Sequence, residues 1–259
     1  MSRASIEGAG LFRLDNRVAV VTGAGAGIGR SIATLFAATG ARVVLVDLHG
    51  AAVEETAAQI SQAGGIAVAI GVDISASDGA PKAVETAIRA FGQIDVLVNN
   101  AGVYPPGLRL PEIDWPSYER TYAVNVFGAL RCISEAARQM QPGGAIINIS
   151  SMESLRPSGP SLAHYSSTKA ALNAITRAAA VDLAPLLIRV NAILPGLIET
   201  EGTKQSGQAL FDGIAARAPS GRAGAPEDIA AAALFLASTA SSYINGHCLV
   251  VDGGITAAG

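Results

Sequence analysis

The chain is 259 residues long, half of them apolar and 15% charged, a balance that excludes a disordered polymer and suits a compact folded protein. At this length folding buries roughly 75% of the surface the unfolded chain exposes, so neither a metal nor a disulfide is needed to hold a core. Eighteen basic against twenty-one acidic residues leave a net charge of −3, without the basic excess that a nucleic-acid partner calls for.

Residues 1–13 read as an N-terminal extension and residues 14–259 as one domain. The opening stretch carries charges and glycine but no apolar signal segment, and no run of about 18 apolar residues occurs, so a cytoplasmic protein with no membrane partner is expected. Cys132 and Cys248 are the only cysteines. They lack CxxC spacing and a neighbouring histidine cluster, which points to buried free thiols and no metal site.

Arg17 to Thr22 is a short β-branched run bounded by Gly23, as expected of a buried parallel strand. The segment from Gly27 to Phe36 then sets Ile28, Ile32, Leu35 and Phe36 on one helical stripe, ended by Gly40. The alternation continues with a strand at 42–47, a helix at 51–63, a strand at 66–71, a helix at 81–91 and a strand at 94–99. A long helix over about 117–140, a strand at 145–150, a helix over about 162–183 and a strand at 188–194 follow. Residues 195–225 are rich in Gly, Ser and Thr with one weak helical patch at 208–217, and read as an inserted mobile region, a lid at about 197–217. A helix at 226–238 and a strand at 247–251 close the chain. Seven strands with intervening helices predict a single α/β domain, a Rossmann-like doubly wound parallel sheet with ligand at the carboxyl ends of its strands.

Thr22-Gly23-Ala24-Gly25-Ala26-Gly27-Ile28-Gly29 lies between the first strand and the first helix. Glycines there let backbone approach a pyrophosphate, and the helix start offers unpaired N–H donors. Asp47 ends the second strand about twenty residues on, where a carboxylate accepts hydrogen bonds from the adenosine ribose. Its charge repels a 2′-phosphate, and neither Ala26 nor Leu48 supplies a cation, so NAD is favoured over NADP. A strand-end carboxylate capping the next turn is the competing reading of Asp47.

Tyr165 and Lys169 are four apart at the start of a helix and share one face. Lysine is scarce here, with only Lys82, Lys169 and Lys204 beside fifteen arginines, so one on a mostly apolar helix invites explanation. An ammonium close to a phenol lowers its pKa of about 10 toward 7, where it trades protons with an alcohol or carbonyl oxygen. Taken alone, a pair at this spacing is far more often surface decoration than a catalytic unit.

With Asn99-Asn100-Ala101-Gly102 after the fourth strand, Asn125 in the long helix, Ser150-Ser151 closing the fifth strand and Pro195-Gly196 closing the sixth, the chain resembles a short-chain dehydrogenase/reductase from about Leu14 to its end. That resemblance implies Tyr165 as acid/base, Lys169 as ribose ligand and tuner of the tyrosine, Ser151 as polariser of the substrate oxygen, and Asn125 as holder of a relay water. It also implies a cofactor lined by Gly23, Gly25, Gly27, Ile28, Gly29, Asp47 and Leu48. Asp73 and Ile74 then lie at the adenine, Asn99, Ala101 and Gly102 along the adenosine side, and Pro195, Gly196, Ile198 and Thr200 at the carboxamide. The family usually places its serine thirteen residues before the tyrosine; Ser151 is fourteen before, so the loop carries one extra residue and Ser154 is the competing candidate. His164 points about 100° away from Tyr165 and reads as a packing residue.

Loops 103–114, 152–163 and 197–217 should read the substrate, with Tyr104, Pro105, Pro106, Leu108, Leu155 and Leu210 as apolar wall and Arg109 and Arg156 solvated. The leading expectation is an NAD-dependent oxidoreductase interconverting a secondary alcohol and a ketone. Reduction of a 3-oxoacyl thioester and a non-catalytic dinucleotide sensor are the alternatives. Enoyl reductases of this family separate tyrosine and lysine by more than four positions. The resemblance further implies a homotetramer or homodimer.

Overall fold

The computed structural model describes residues 8–204, 211–213 and 216–258. Seven parallel strands form one sheet in the order β3-β2-β1-β4-β5-β6-β7. The strands are β1 (Val18–Thr22), β2 (Arg42–Asp47), β3 (Ile66–Gly71), β4 (Val96–Asn99), β5 (Ala145–Ile149), β6 (Arg189–Pro195) and β7 (Cys248–Val251). The helices are α1 (Gly27–Ala38), α2 (Gly50–Gln62), α3 (Gly79–Phe91), α4 (Trp115–Tyr122), α5 (Ala129–Gln139), α6 (Ala163–Asp182), the single turn α7 (Glu201–Lys204) and α8 (Pro226–Ala237).

The central strands are apolar on both faces because helices cover both. Ala19 and Val21 of β1 pack with Ile32 and Phe36 of α1, Val53 and Ile60 of α2 and Ile229 of α8. Val18 and Val20, on the alternate face, pack with Val84 of α3 and Cys132 and Ile133 of α5. The chain steps one way from β1 to β3 and the other way from β4 to β7, so the strand order reverses between β1 and β4. Their carboxyl ends, Thr22 and Asn99, flank the crevice where such a sheet binds ligands.

Two departures from the sequence reading bear on the site. The helix expected as one piece over 117–140 starts at Trp115 and is interrupted by a π-helical stretch, Ala123–Gly128, which contains Asn125. The carboxyl side of β5 carries a 3-10 turn, Met152–Ser154. Half of the helical patch expected at 208–217 falls outside the described residues, Leu210 among them; residues 211–213 are helical and Phe211 is buried. Cys132 is buried, which pushes its thiol up to about 12, and Cys248 only half-buried.

Candidate active site

The glycine-rich turn is fixed by contacts that leave no room for side chains. Gly23 has φ of +65°, and a Cβ on Gly29 would stand 2.0 Å from the Gly23 carbonyl oxygen. Asn100 locks the turn from the β4 side, its Nδ2 donating to the carbonyls of Thr22 and Gly23 at 3.0 Å each. The Thr22 hydroxyl accepts from the main-chain N–H groups of Asn100 and Ala101, both at 3.0 Å. Thr22 and Asn100 thus hold the two motifs together, a role the sequence reading did not give them.

Ala26, at the N-cap of α1, has no polar side chain to cap the first-turn N–H groups. A glycine-lined, uncapped helix start is chemically suited to a pyrophosphate. Thr200 closes the other side: a Cβ on Gly27 would lie 3.1 Å from its Cγ2. Asp47 reaches the turn, accepting from Gly25 N at 3.1 Å with Oδ2 and from His49 N at 3.0 Å with Oδ1. The carboxylate therefore caps the next turn as well as standing beside the loop, and both carboxylate oxygens keep a lone pair for further donors. Leu48 is exposed and brings no charge.

Tyr165, Lys169 and Ser151 converge at the carboxyl ends of β4 and β5. Lys169 is buried; its Nζ donates to the Ile149 carbonyl at 2.8 Å and stands 5.6 Å from the centre of the Tyr165 ring. A Cβ on Gly102 would lie 3.5 Å from that Nζ, so the turn after β4 runs directly over the lysine. Burial pulls the ammonium down to about 8, and pushes the Tyr165 phenol up to about 12. A hydrogen bond from Ser151 lowers the phenol, while Tyr104 and Glu153 raise it further. Burial is here the largest influence on the phenol. Of the two candidate serines it is Ser151 that meets Tyr165; Ser154 instead bonds the Ser151 carbonyl and Asn173.

Asn125 and Asn99 both turn their side-chain amides into the protein. The Asn125 amide is spent on protein, Oδ1 accepting from Val103 N at 2.8 Å and Nδ2 donating to Val103 O at 3.0 Å and Thr168 Oγ1 at 3.2 Å. A relay water held here would meet the main chain of Asn125 or the remaining lone pair of its Oδ1. Asn99 turns its amide into the sheet, donating to Asn148 Oδ1 across the β4–β5 pair, which leaves its main chain and that of Ala101 to line a cofactor. Asp73 is engaged by Ser75 and by Arg120 of α4, which hold its carboxyl below the usual range. Ile74 is buried against Gly128. Pro195 and Gly196 continue β6, with Gly196 N bonded to Val251 O, and Ile198 is buried.

On the substrate side, the Tyr104 ring meets Tyr165 edge-on, centroids 4.6 Å apart. Its loop is pinned by His164, whose Nε2 lies 2.9 Å from the Pro105 carbonyl and must be the donor. A Cβ on Gly107 would clash with the Ser161 carbonyl at 1.7 Å. Leu108, Leu155, Arg109 and Arg156 are exposed around this opening.

The geometry agrees with comparison to known proteins. A family model described as enoyl-(acyl carrier protein) reductase matches residues 23–256. The chain is 40% identical to an L-rhamnose 1-dehydrogenase (NAD(P)(+)) of Azotobacter vinelandii over 93% of this chain and 97% of that one. It is 39% identical to a 3-oxoacyl acyl-carrier-protein reductase of Chlamydia trachomatis, over 93% and 98%. A solved 7 alpha-hydroxysteroid dehydrogenase complexed with NADH and 7-oxo glycochenodeoxycholic acid superposes with a TM-score of 0.91 at 37% identity, covering 95% of this chain and 96% of that one. No helix among the described residues is long and apolar enough to cross a membrane. A glycine-rich turn at the strand-order reversal, a buried lysine under a tyrosine and full-length similarity place this chain among the oxidoreductases of the short-chain dehydrogenase/reductase family.

Proposed function

We propose that the protein is an NAD-dependent dehydrogenase interconverting a secondary alcohol and a ketone on a small neutral or weakly polar substrate. The observation that carries this reading is the contact of Ser151 with Tyr165 above the buried Lys169. Two hydroxyls held together, one of them ionisable, make a site for a third oxygen, that of the carbinol or carbonyl. Ser151 donates a hydrogen bond to that oxygen, and Tyr165 takes the alcohol proton or returns it to the ketone. Lys169 supplies the positive charge that favours the phenolate as substrate fills the site and excludes water. Gly23, Gly25, Gly27, Ile28, Gly29, Asp47, Leu48, Asp73, Ile74, Asn99, Ala101, Gly102, Pro195, Gly196, Ile198 and Thr200 would hold the cofactor, with Tyr165 and Lys169 at its nicotinamide end. When bound, the nicotinamide ring accepts or gives the hydride.

Near-equal identity to relatives named for a sugar, an acyl thioester and, among solved structures, a steroid means that overall similarity does not select the substrate. The rim does so, and here Tyr104, Leu108 and Leu155 give it an apolar part beside the exposed Arg109 and Arg156. The test follows NADH formation from NAD with a panel of secondary alcohols, diols, polyols, hydroxysteroids and 3-hydroxyacyl thioesters, with Tyr165→Phe alongside. Turnover of one class that vanishes in the variant supports the reading. Reduction of 3-oxoacyl thioesters with NADPH alone would replace it by the activity in the name of the Chlamydia relative, and NADH binding without turnover by a sensor. Assembly as a homotetramer or homodimer belongs to the same proposal. Trp115 of α4, Phe127 of the π-helical stretch and Leu130 of α5 are exposed, and β7 is an open edge, so light scattering should find more than one copy.

A further inference from the structure

Tyr165, Lys169 and Asn173 are spaced i, i+4 and i+8 on α6, and Asn173 is 5% exposed. Its Nδ2 donates to Ser154 Oγ at 2.8 Å, while Ser154 Oγ donates in turn to the Ser151 carbonyl. Within the same turn Glu153 N donates to Ser151 Oγ at 3.2 Å and Ser154 N to Ser151 O at 3.0 Å. The oxygen of Ser151 thus accepts from the main chain, which leaves its own proton available to Tyr165 or to a substrate oxygen.

Asn173 Oδ1 is buried and has no hydrogen-bond partner among the described residues. An apolar side chain at this position would avoid that orphaned acceptor. Asparagine is kept at a cost in stability, and what it supplies is the donor to Ser154.

We infer that Asn173 is a positioning residue, which through Ser154 ties the serine-bearing turn Met152–Ser154 to the helix that carries Tyr165 and Lys169. The acid/base and the polarising hydroxyl sit on different segments, β5 with its following turn and α6, and each needs a fixed distance to one substrate oxygen. The Asn173–Ser154 bond is a side-chain bridge between those segments one turn beyond Lys169. It also gives Ser154 a role that is not that of the reacting serine. The inference rests on the dehydrogenase reading above.

The experiment uses the full chain with NAD and whichever alcohol of the panel it oxidises best, in wild type, Asn173→Ala, Ser154→Ala and the double variant. The expected result is a fall in kcat of about ten- to a hundredfold in each single variant, with cofactor KM unchanged. The acid limb of kcat/KM should move to higher pH as Tyr165 loses its bond from Ser151. The double variant should be no worse than the singles, because both remove one link. Wild-type kcat with an unmoved acid limb, or losses that multiply, would overturn the inference. Ser154 lies on a partly exposed turn, so Ser154→Ala tests the link even if Asn173→Ala misfolds. Hydrogen exchange of residues 151–155 needs no substrate: faster exchange there in Asn173→Ala, with α6 unchanged, supports the bridge, and unchanged exchange rejects it. A wild type silent on the whole panel but with accelerated exchange in the variant would fail the dehydrogenase reading alone.

Discussion

Asn125 grips Val103 by both of its main-chain polar groups, accepting from the N–H at 2.8 Å and donating to the carbonyl at 3.0 Å. One amide side chain thereby does for the substrate loop what a neighbouring strand does for a sheet edge. Tyr104, the next residue, meets Tyr165 edge-on.

Replacing Asn125 by alanine leaves a partly buried N–H and its carbonyl short of a partner, at about 1–3 kcal/mol for each group left unsatisfied, while Thr168 Oγ1 keeps its bond to Tyr165 O. Asn125→Ala should lower the melting temperature, raise substrate KM and leave cofactor affinity nearly unchanged. Thermal melts with NADH and substrate titrations check it. A fall in kcat with neither KM nor stability moved would mean that the amide serves the proton path and not the loop.

Lys169 opposes stability at neutral pH. Its folded pKa lies near 8 against 10.5 for the free side chain. The penalty is fully present below pH 8 and fades as pH rises from 8 toward 10.5, where the unfolded chain binds the proton that the folded chain has lost. Above pH 10 the raised Tyr165 acts in the other sense, since the folded chain then keeps a proton that the unfolded one releases. Lys169→Met gives up the bond to Ile149 O and still should stabilise the fold at pH 7 by about 1–3 kcal/mol, with turnover abolished. Chemical denaturation at pH 7 and pH 10 checks both sign and trend: the advantage of the variant should shrink at the higher pH.

Glu153 is a lever on Tyr165 from the opposite direction. Its charge raises the phenol, and its Oε2 accepts from Ser158 N at 2.8 Å. Glu153→Gln keeps an acceptor for Ser158 and removes the charge. The acid limb of the oxidation profile should therefore move to lower pH, as Tyr165 ionises more readily. A pH–rate series on the two proteins decides it, and a limb shifted upward or unmoved would show that Glu153 does not act on the phenol.

The strands were legible because most are buried on both faces and read as unbroken apolar runs between glycines. The functional turns were legible because glycines such as Gly29, where a Cβ has no room, are demanded by backbone contacts that any sequence of this fold must satisfy. The break in the long helix was not. The π-helical stretch at Ala123–Gly128 packs Gly128 against Ile74 and holds Asn125 between Val103 and Thr168, all tertiary contacts without a local signal. Nor does the sequence say which of two adjacent asparagines points into the sheet. Register decides it, pairing Asn99 with Asn148 and leaving Asn100 to the glycine-rich turn. The burial of Tyr165 was hidden for a similar reason: spacing reveals a nearby ammonium, while burial belongs to the assembled site.

Asp47 is the residue on which the proposed preference for NAD rests, and it is also part of the turn that would display the cofactor. No neutral side chain of its shape keeps both of its bonds, since an asparagine would set an amide N–H against either Gly25 N or His49 N. Loss of affinity in Asp47→Ala alone is therefore ambiguous between a missing ribose acceptor and a loosened turn. The ratio of dissociation constants for NADH and NADPH is not, because a loosened turn weakens both cofactors alike, whereas the carboxylate favours one and repels the 2′-phosphate of the other. Asp47→Ala should shift that ratio toward NADPH by about ten- to a hundredfold, the worth of one charge-assisted hydrogen bond, and adding Leu48→Arg should shift it further. Fluorescence titration of both cofactors into the three proteins measures it. A ratio that stays fixed while both affinities fall would leave Asp47 as a capping residue and remove the basis for preferring NAD.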